Sequence, residues 1–341
     1  MRARFFIGAL AASGMCLFSD ECGVPNLSAR TMGECASFDL FADLLVWCAK
    51  ESGTDHWAQV IETDGTSTVC DIRNIEFGWN AGVRVGAGYG MEHDQWDAQG
   101  YFTWFKTEGH DQASGGPGSV FSSFLGNFYV NNSSGAGLSG VAYQRASIDW
   151  TIDFNMFDAE LGRKYWVSQA LSVRPFVGLK GGWIHQSIDT KWVTPEVPAP
   201  VIFGVGKEDL KNDYWGIGPS GGMSLGWNLA ERSYGSFDLF GDFSGAVMWG
   251  RWSFGDEYEN DRGSRVAIDF SPIESASAML RSLMGLSWDA YFNGGRSHFT
   301  AKLGYEMQFW LNQLQFYSFE TGRLSNPLTL QGGTLEFRFD F

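Results

Sequence analysis

Three histidines stand near carboxylates: His110 precedes Asp111, His56 follows Asp55, and His185 lies just before Asp189. A histidine steered by an acid is the minimum for proton transfer in peptide or lipid hydrolysis. None of the three falls in a Ser/His arrangement, a glycine-rich phosphate loop or a metal-ligand spacing. The sequence therefore reads as non-enzymatic, with no metal and no cofactor. A second set of residues carries more. Glu76, Arg84, Asp97, Asp149, Asp153, Arg174, Lys180, Asp238, Asp242, Arg281, Asp289, Lys302, Glu306 and Arg338 lie in segments where apolar and other residues alternate. In an extended chain such alternate positions share one face. Opposed charges facing one another across an enclosed space set a transverse field and sort ions. The same charges can also close that space with salt bridges, and both readings stay open here.

The elements that would position these charges are strands. In Ile75–Gly90 the odd positions, from Ile75 through Trp79, Val83 and Val85 to Tyr89, are all apolar. Glycines, Glu76, Asn80 and Arg84 lie between them, an alternation that a helical period would scramble. Phe38–Cys48 and the terminal Leu335–Phe341 behave alike. The second places Leu335, Phe337, Phe339 and Phe341 on one side and Glu336, Arg338 and Asp340 on the other. On a soluble edge strand four such apolar groups would aggregate; in a closed transmembrane barrel they face lipid while the polar side faces a lumen. Ten segments repeat the pattern, with a twelve-strand count left open. In one of them, Ile148–Leu161, the apolar positions change phase after Met156, as a β-bulge would make them do.

Connections alternate between short turns and long polar stretches, namely Glu51–Asn74, Glu108–Tyr143, Asp189–Asp213, Gly255–Ser277 and Asn312–Asn326. The expected fold is all-β: a transmembrane, antiparallel, up-and-down β-barrel over residues 38–341, with long extracellular loops and short periplasmic turns. Val120–Val130 is expected to fold within the second of those loops. Trp79, Trp104, Trp150, Trp183, Trp215, Trp249 and Trp310 fall near the long-loop ends, and Tyr89, Trp96, Trp166, Trp227 and Trp288 near the short turns, as two interfacial belts would require.

Residues 1–22 read as an export signal, with Arg2 and Arg4 before a short apolar core. The net charge of −15 excludes a nucleic-acid partner. Of five cysteines, Cys48 and Cys70 flank one loop; a disulfide between them and two free thiols are equally compatible with the sequence.

Ala42-Asp43-Leu44-Leu45-Val46-Trp47, Gly82–Tyr89, Asp94-Gln95-Trp96-Asp97, Phe102-Thr103-Trp104-Phe105, Asp158–Arg163, Leu171–Leu179, Trp215–Pro219, Leu239–Asp242 and the terminal phenylalanine resemble the Legionella-type pore-forming outer membrane proteins. These are also described as major-outer-membrane-protein-like porins in amoeba-associated chlamydiae. The resemblance implies a bacterial outer membrane location and a pore for ions or small solutes, and brings no catalytic residues. A structural or adhesion barrel with a plugged lumen is the alternative. Expected partners are outer membrane lipid, the barrel assembly machinery acting on Phe337, Phe339 and Phe341, small solutes or ions, and a second copy of the chain.

Overall fold

The structure, a computed structural model, describes residues 37–51, 55–91, 95–123, 129–131, 136–137, 142–195, 203–232, 235–263, 265–292, 297–318 and 322–341. The expected leader lies outside these residues, as do Cys16, Cys22, Cys35 and part of the Val120–Val130 segment.

Ten long strands carry the fold: β1 Ser37–Glu51, β2 Asn80–Gly90, β3 Trp96–Ser114, β4 Arg145–Arg163, β5 Leu171–Val193, β6 Val205–Arg232, β7 Gly235–Asn260, β8 Ile273–Phe292, β9 Ser297–Ser318 and β10 Gly322–Asp340. Each pairs antiparallel with the next. β10 returns to β1, with Leu44 opposite Leu335 and Asp43 opposite Glu336, so the sheet closes on itself. Closure leaves the long strands without a free edge.

In the lower half the expected alternation holds. Leu40, Leu44, Val83, Val85, Val177, Leu179, Leu286, Leu303 and Phe337 project outward and are exposed. Trp79, Trp104, Trp183, Trp215 and Trp249 stand outside along the top of this apolar band, and Tyr89, Trp96, Trp166 and Trp227 along its bottom. On β6, Trp215 and Trp227 bracket a stretch long enough to cross a bilayer at a tilt.

Above the upper tryptophans the strands continue, and the apolar face changes sides. On β5, Val177 and Leu179 point out below Trp183. Beyond it His185, Asp189 and Lys191 point out, while Ile184, Ile188 and Trp192 are buried within. The register of β5 with both neighbours is unbroken through this point. No residue is inserted: outside, lipid gives way to water, so the same backbone now buries its apolar side chains inward. The phase change on β4 has this cause as well, and the expected bulge is absent. Ile148, Trp150, Ile152, Phe154 and Met156 face the interior, and Phe157 and Leu161 face lipid, with continuous pairing throughout. Much of what reads as loop is therefore wall. β3 runs to Ser114, β5 to Val193, β7 to Asn260, and β9 and β10 meet in a long hairpin.

The interior above the belt is one apolar core that includes Leu45, Trp47, Phe105, Trp150, Phe154, Ile184, Trp252, Trp310 and Leu330. Trp150 and Trp310, expected in the outer belt, are fully buried in it. A small sheet caps this core. His56–Thr63 and Thr68–Asn74 form a hairpin, turning at Asp64, and Val120–Ser122 pairs on its other side. Asp111 of β3 latches the cap, accepting from Trp57 Nε1 at 2.9 Å and from Arg73 Nη2 at 2.9 Å.

Asp256 of β7 lies buried in this extracellular section, above the tryptophan belt. Burial pushes its carboxyl up to about 7, and the nearby Asp209 charge adds to the shift. The folded state thus holds a proton that the unfolded chain releases above roughly pH 4. The sign follows: this contribution to stability is fully present below about pH 4 and is lost as pH rises through about 7. Unfolding midpoints measured from pH 4 to 8 are expected to fall more steeply in the native protein than in Asp256→Asn. Parallel profiles would remove Asp256 as the cause.

Candidate functional site: the charged lumen

Within the membrane band, the inward positions of the strands build a charged interior. At its centre is Glu306 of β9, fully buried. Its carboxylate accepts from Arg84 Nη2 at 2.8 Å and Nη1 at 3.2 Å, from Arg281 Nε at 2.7 Å, from Gln308 Nε2 at 2.9 Å and from Thr334 Oγ1 at 2.9 Å. Arg84 also donates to Asp43 Oδ2 at 2.8 Å and, through Nε, to Thr103 Oγ1 at 3.0 Å. The rings of Trp47 and Tyr101 flank its guanidinium, each 5.7 Å away. β1, β2, β8, β9 and β10 thus converge on one point. The planar fork of arginine suits this arrangement, because it meets a carboxylate with two parallel donors. Trp310 closes the tier from above. Its Nε1 donates to Gln308 Oε1 at 3.1 Å, and its ring packs on Phe154 at 5.3 Å.

Further charged groups line the interior. Arg174 of β5 binds Asp97 of β3 and Glu160 of β4, while Tyr101 OH donates to Glu160 at 2.8 Å. Lys180 pairs with Asp158. On the seam, Arg338 reaches Glu336 at 3.1 Å and Asp39 at 3.5 Å, lies over Phe41, and shares Glu336 with Lys302 at 3.0 Å. His298 bridges Asp289 at 3.0 Å and Asp340. Asp238 accepts from Asn228, and Asp242 lies within electrostatic reach of Arg281.

Arg84, Asp97, Arg174, Lys180, Asp238, Asp242, Arg281, Asp289, Lys302, Glu306 and Arg338 therefore sit inside. Glu76, Asp149 and Asp153 do not. Glu76 precedes β2 and is exposed, while its neighbours Ile75 and Phe77 turn into the capped core. Asp149 and Asp153 lie on the stretch of β4 above the belt, where the polar face is the outer one. Asp158 and Glu160 take the interior positions instead. The outward phase of Phe157, Ala159 and Leu161 carries that signal.

The glycines of β2 leave no open space either. A Cβ on Gly86 would lie 2.4 Å from the Phe41 ring, and one on Gly88 would lie 2.2 Å from the Asp39 carboxylate. Cys48 and Cys70 are both free thiols: Cys48 Sγ donates to Phe77 O at 3.0 Å, and Cys70 is exposed on the cap. Of the two alternatives the sequence left open, the free thiols are the one found. The expected histidine pairs are rearranged as well. His110 meets Asp149 at 2.6 Å and His185 meets Asp213 at 2.7 Å, on the outer wall above the belt, while Asp111 serves the cap. His56 stays beside Asp55, at 3.5 Å.

A search of curated proteins finds no match to this chain. Among solved structures, similar chains include the Escherichia coli outer membrane protease OmpT (12% identity, 89% of this chain and 96% of that one, TM-score 0.40). Others are a major outer membrane protein from Thermus thermophilus (10%, 90% and 100%, TM-score 0.34) and a Pseudomonas aeruginosa FadL homologue (8%, 90% and 90%, TM-score 0.29). At these scores they carry no argument about activity. The family model described as the Legionella pneumophila major outer membrane protein precursor matches residues 32–341. A closed, lipid-facing barrel matched over that length places the protein in the bacterial outer membrane, and the chain belongs to the Legionella major outer membrane protein family.

Proposed function

We propose that this barrel is a gated, porin-like conduit for ions or small solutes, shut in the conformation described. The observation that carries this reading is the charged interior of the membrane-spanning half. Buried ion pairs seldom stabilise a fold better than apolar side chains of equal volume. A barrel built only to stand in a membrane has little reason to place Arg84, Arg281, Asp43 and Glu306 at its centre. Acids outnumber bases along this lining, which favours cations. A structural or surface-display barrel is the second reading, supported by the apolar core above the charges and by the small bore of ten strands. Planar-bilayer recording separates the two. Long silent periods broken by small, cation-selective steps are expected. Silence at every voltage, including in variants that loosen the interior, would leave the structural role in its place.

Assembly gives a further expectation. Phe337, Phe339 and Phe341 project outward, and the backbone N–H of Phe341 donates to Phe38 O at 2.9 Å, tying the terminus to β1. Outward aromatics at a barrel's last strand suit recognition by an insertion machine before β10 meets β1. Deleting Phe341 is expected to lower surface levels several-fold while leaving the conductance of inserted barrels unchanged. Equal surface levels would remove this role.

A further inference from the structure

One segment of the upper core is not finished packing. β9 runs in register with β10 up to Trp310 opposite Leu328, then resumes only at Leu314 opposite Asn326. Between them Asn312 adopts φ +54°, in the left-handed region. Gln313, Leu314 and Gln315 follow, and all three are buried. Consecutive residues of a strand face opposite sides, so this buried run, set at a break in pairing and bonded through its backbone carbonyls to inward side chains of other strands, marks a bulge that leans into the lumen. Strands two and three places along the wall hold it there. Trp252 Nε1 of β7 donates to Gln313 O at 2.9 Å, and Asn212 Nδ2 of β6 donates to Gln315 O. Neither strand neighbours β9 in the sheet.

The Gln313 side chain is fully buried, and among the described residues neither its amide oxygen nor its amide nitrogen has a partner, nor does Asn212 Oδ1. Both polar atoms of one carboxamide are unmet, and each unmet group costs about 1–3 kcal/mol, so the buried position of this segment is held at a cost. Moving the segment outward would return Gln313 to water at the expense of two donated hydrogen bonds and the burial of Leu314 and Gln315. These opposing contributions are of similar size, which is the condition for a two-state element.

We propose that Asn312–Gln315 is a strap that swings between the lumen and the extracellular mouth and forms the outer gate of the barrel. What it gates rests on the conduit reading above; that it moves does not. The test uses the full-length protein with its cysteines replaced by serine, in intact outer membranes, probed with a membrane-impermeant maleimide. Gln313→Cys is compared with Ala113→Cys, a wall position just as buried on β3. The strap position is expected to label at least tenfold faster. Adding Asn212→Ala and Trp252→Phe, which remove the two donors, is expected to raise its rate several-fold more. A Gln313→Leu background, which removes the unmet amide, is expected to slow labelling at Gln315→Cys. Gel mobility before and after heating confirms that each variant is folded. Labelling of Gln313→Cys no faster than Ala113→Cys, with and without the donor changes, would make the segment fixed core and overturn the proposal. Bilayer recordings of the donor variant keep the two ideas apart. Fast labelling without conductance upholds the strap and sinks the conduit; conductance without labelling upholds the conduit and overturns the strap.

Discussion

Replacing Glu306 with alanine will destabilise the barrel by about 3–5 kcal/mol, the range for removing one partner of a buried ion pair. The size of the loss comes from what remains. Arg84 and Arg281 both spend donors on this carboxylate, and without it two guanidinium groups stay buried with Asp43 bonded to Arg84 and only the more distant Asp242 charge facing Arg281. Glu306→Gln should cost less. It still offers an oxygen to Arg84, Thr334 or Gln308, but it gives up the charge that the two arginines meet. The contrast is Lys211→Ala. Lys211 pairs with Asp209 at 3.0 Å on the outer wall, with side chains 64% and 43% exposed, and losing such a pair should change stability by less than about 1 kcal/mol. Urea unfolding in detergent micelles, followed by the heat-dependent gel mobility of the folded barrel, measures all three. A Glu306→Ala loss no larger than that of Lys211→Ala would mean that the central cluster is hydrated and carries little energy.

That cluster shows what the chain declares in advance and what it does not. Ten strands and their order are legible because lipid and lumen differ so strongly within the band. Leu40, Ala42, Leu44 and Val46 against Asp39 and Asp43 permit only one orientation. The same contrast fixes the closing seam, where Phe337 and Phe339 mirror Leu40 and Ala42 across the β1–β10 pair. The upper wall is not legible by this rule, since the rule changes sign there. His185, Asp189 and Lys191 continue a strand whose outward side has moved from lipid to water, so a polar run that looks like a loop is sheet. Asp149 and Asp153 are misplaced for that reason, and Asp158 and Glu160 are recovered once the sign change is seen. Apart from Gln308 on the same strand, the partners of Glu306 escape a local reading. Arg84 lies 222 residues away in the chain, and only closure brings β2 and β9 to the same point. The strap is illegible too, because Asn312 reads as the start of a loop and nothing in Gln313-Leu314-Gln315 signals that the chain turns inward.

Gly285→Val will prevent the barrel from closing properly, at a cost of about 3 kcal/mol or more. Gly285 of β8 pairs with Gly304 of β9, next to Lys302 and Glu306. A Cβ at Gly285 would lie 2.1 Å from Leu303 O and 2.5 Å from Gly304 Cα, both of them backbone atoms. No side-chain rotation relieves that contact; the two strands would have to separate. A Cβ at Gly304 would meet Met284 O at 2.7 Å and the Leu283 and Phe240 side chains at 2.9 and 3.1 Å, so its neighbour has no room to yield. Paired glycines of this kind let two barrel strands approach closely. Gly333→Ala on β10 is the matched control. No atom lies within 4 Å of a Cβ there, and its φ is not in the left-handed region. That change should be neutral or stabilise by up to about 1 kcal/mol, by restricting the unfolded chain. Folded yield and urea midpoint are the readouts. If both variants fold alike, the close approach of β8 and β9 at Gly285 and Gly304 contributes nothing to closure; if only Gly285→Val fails, closure next to the charged centre depends on that glycine pair.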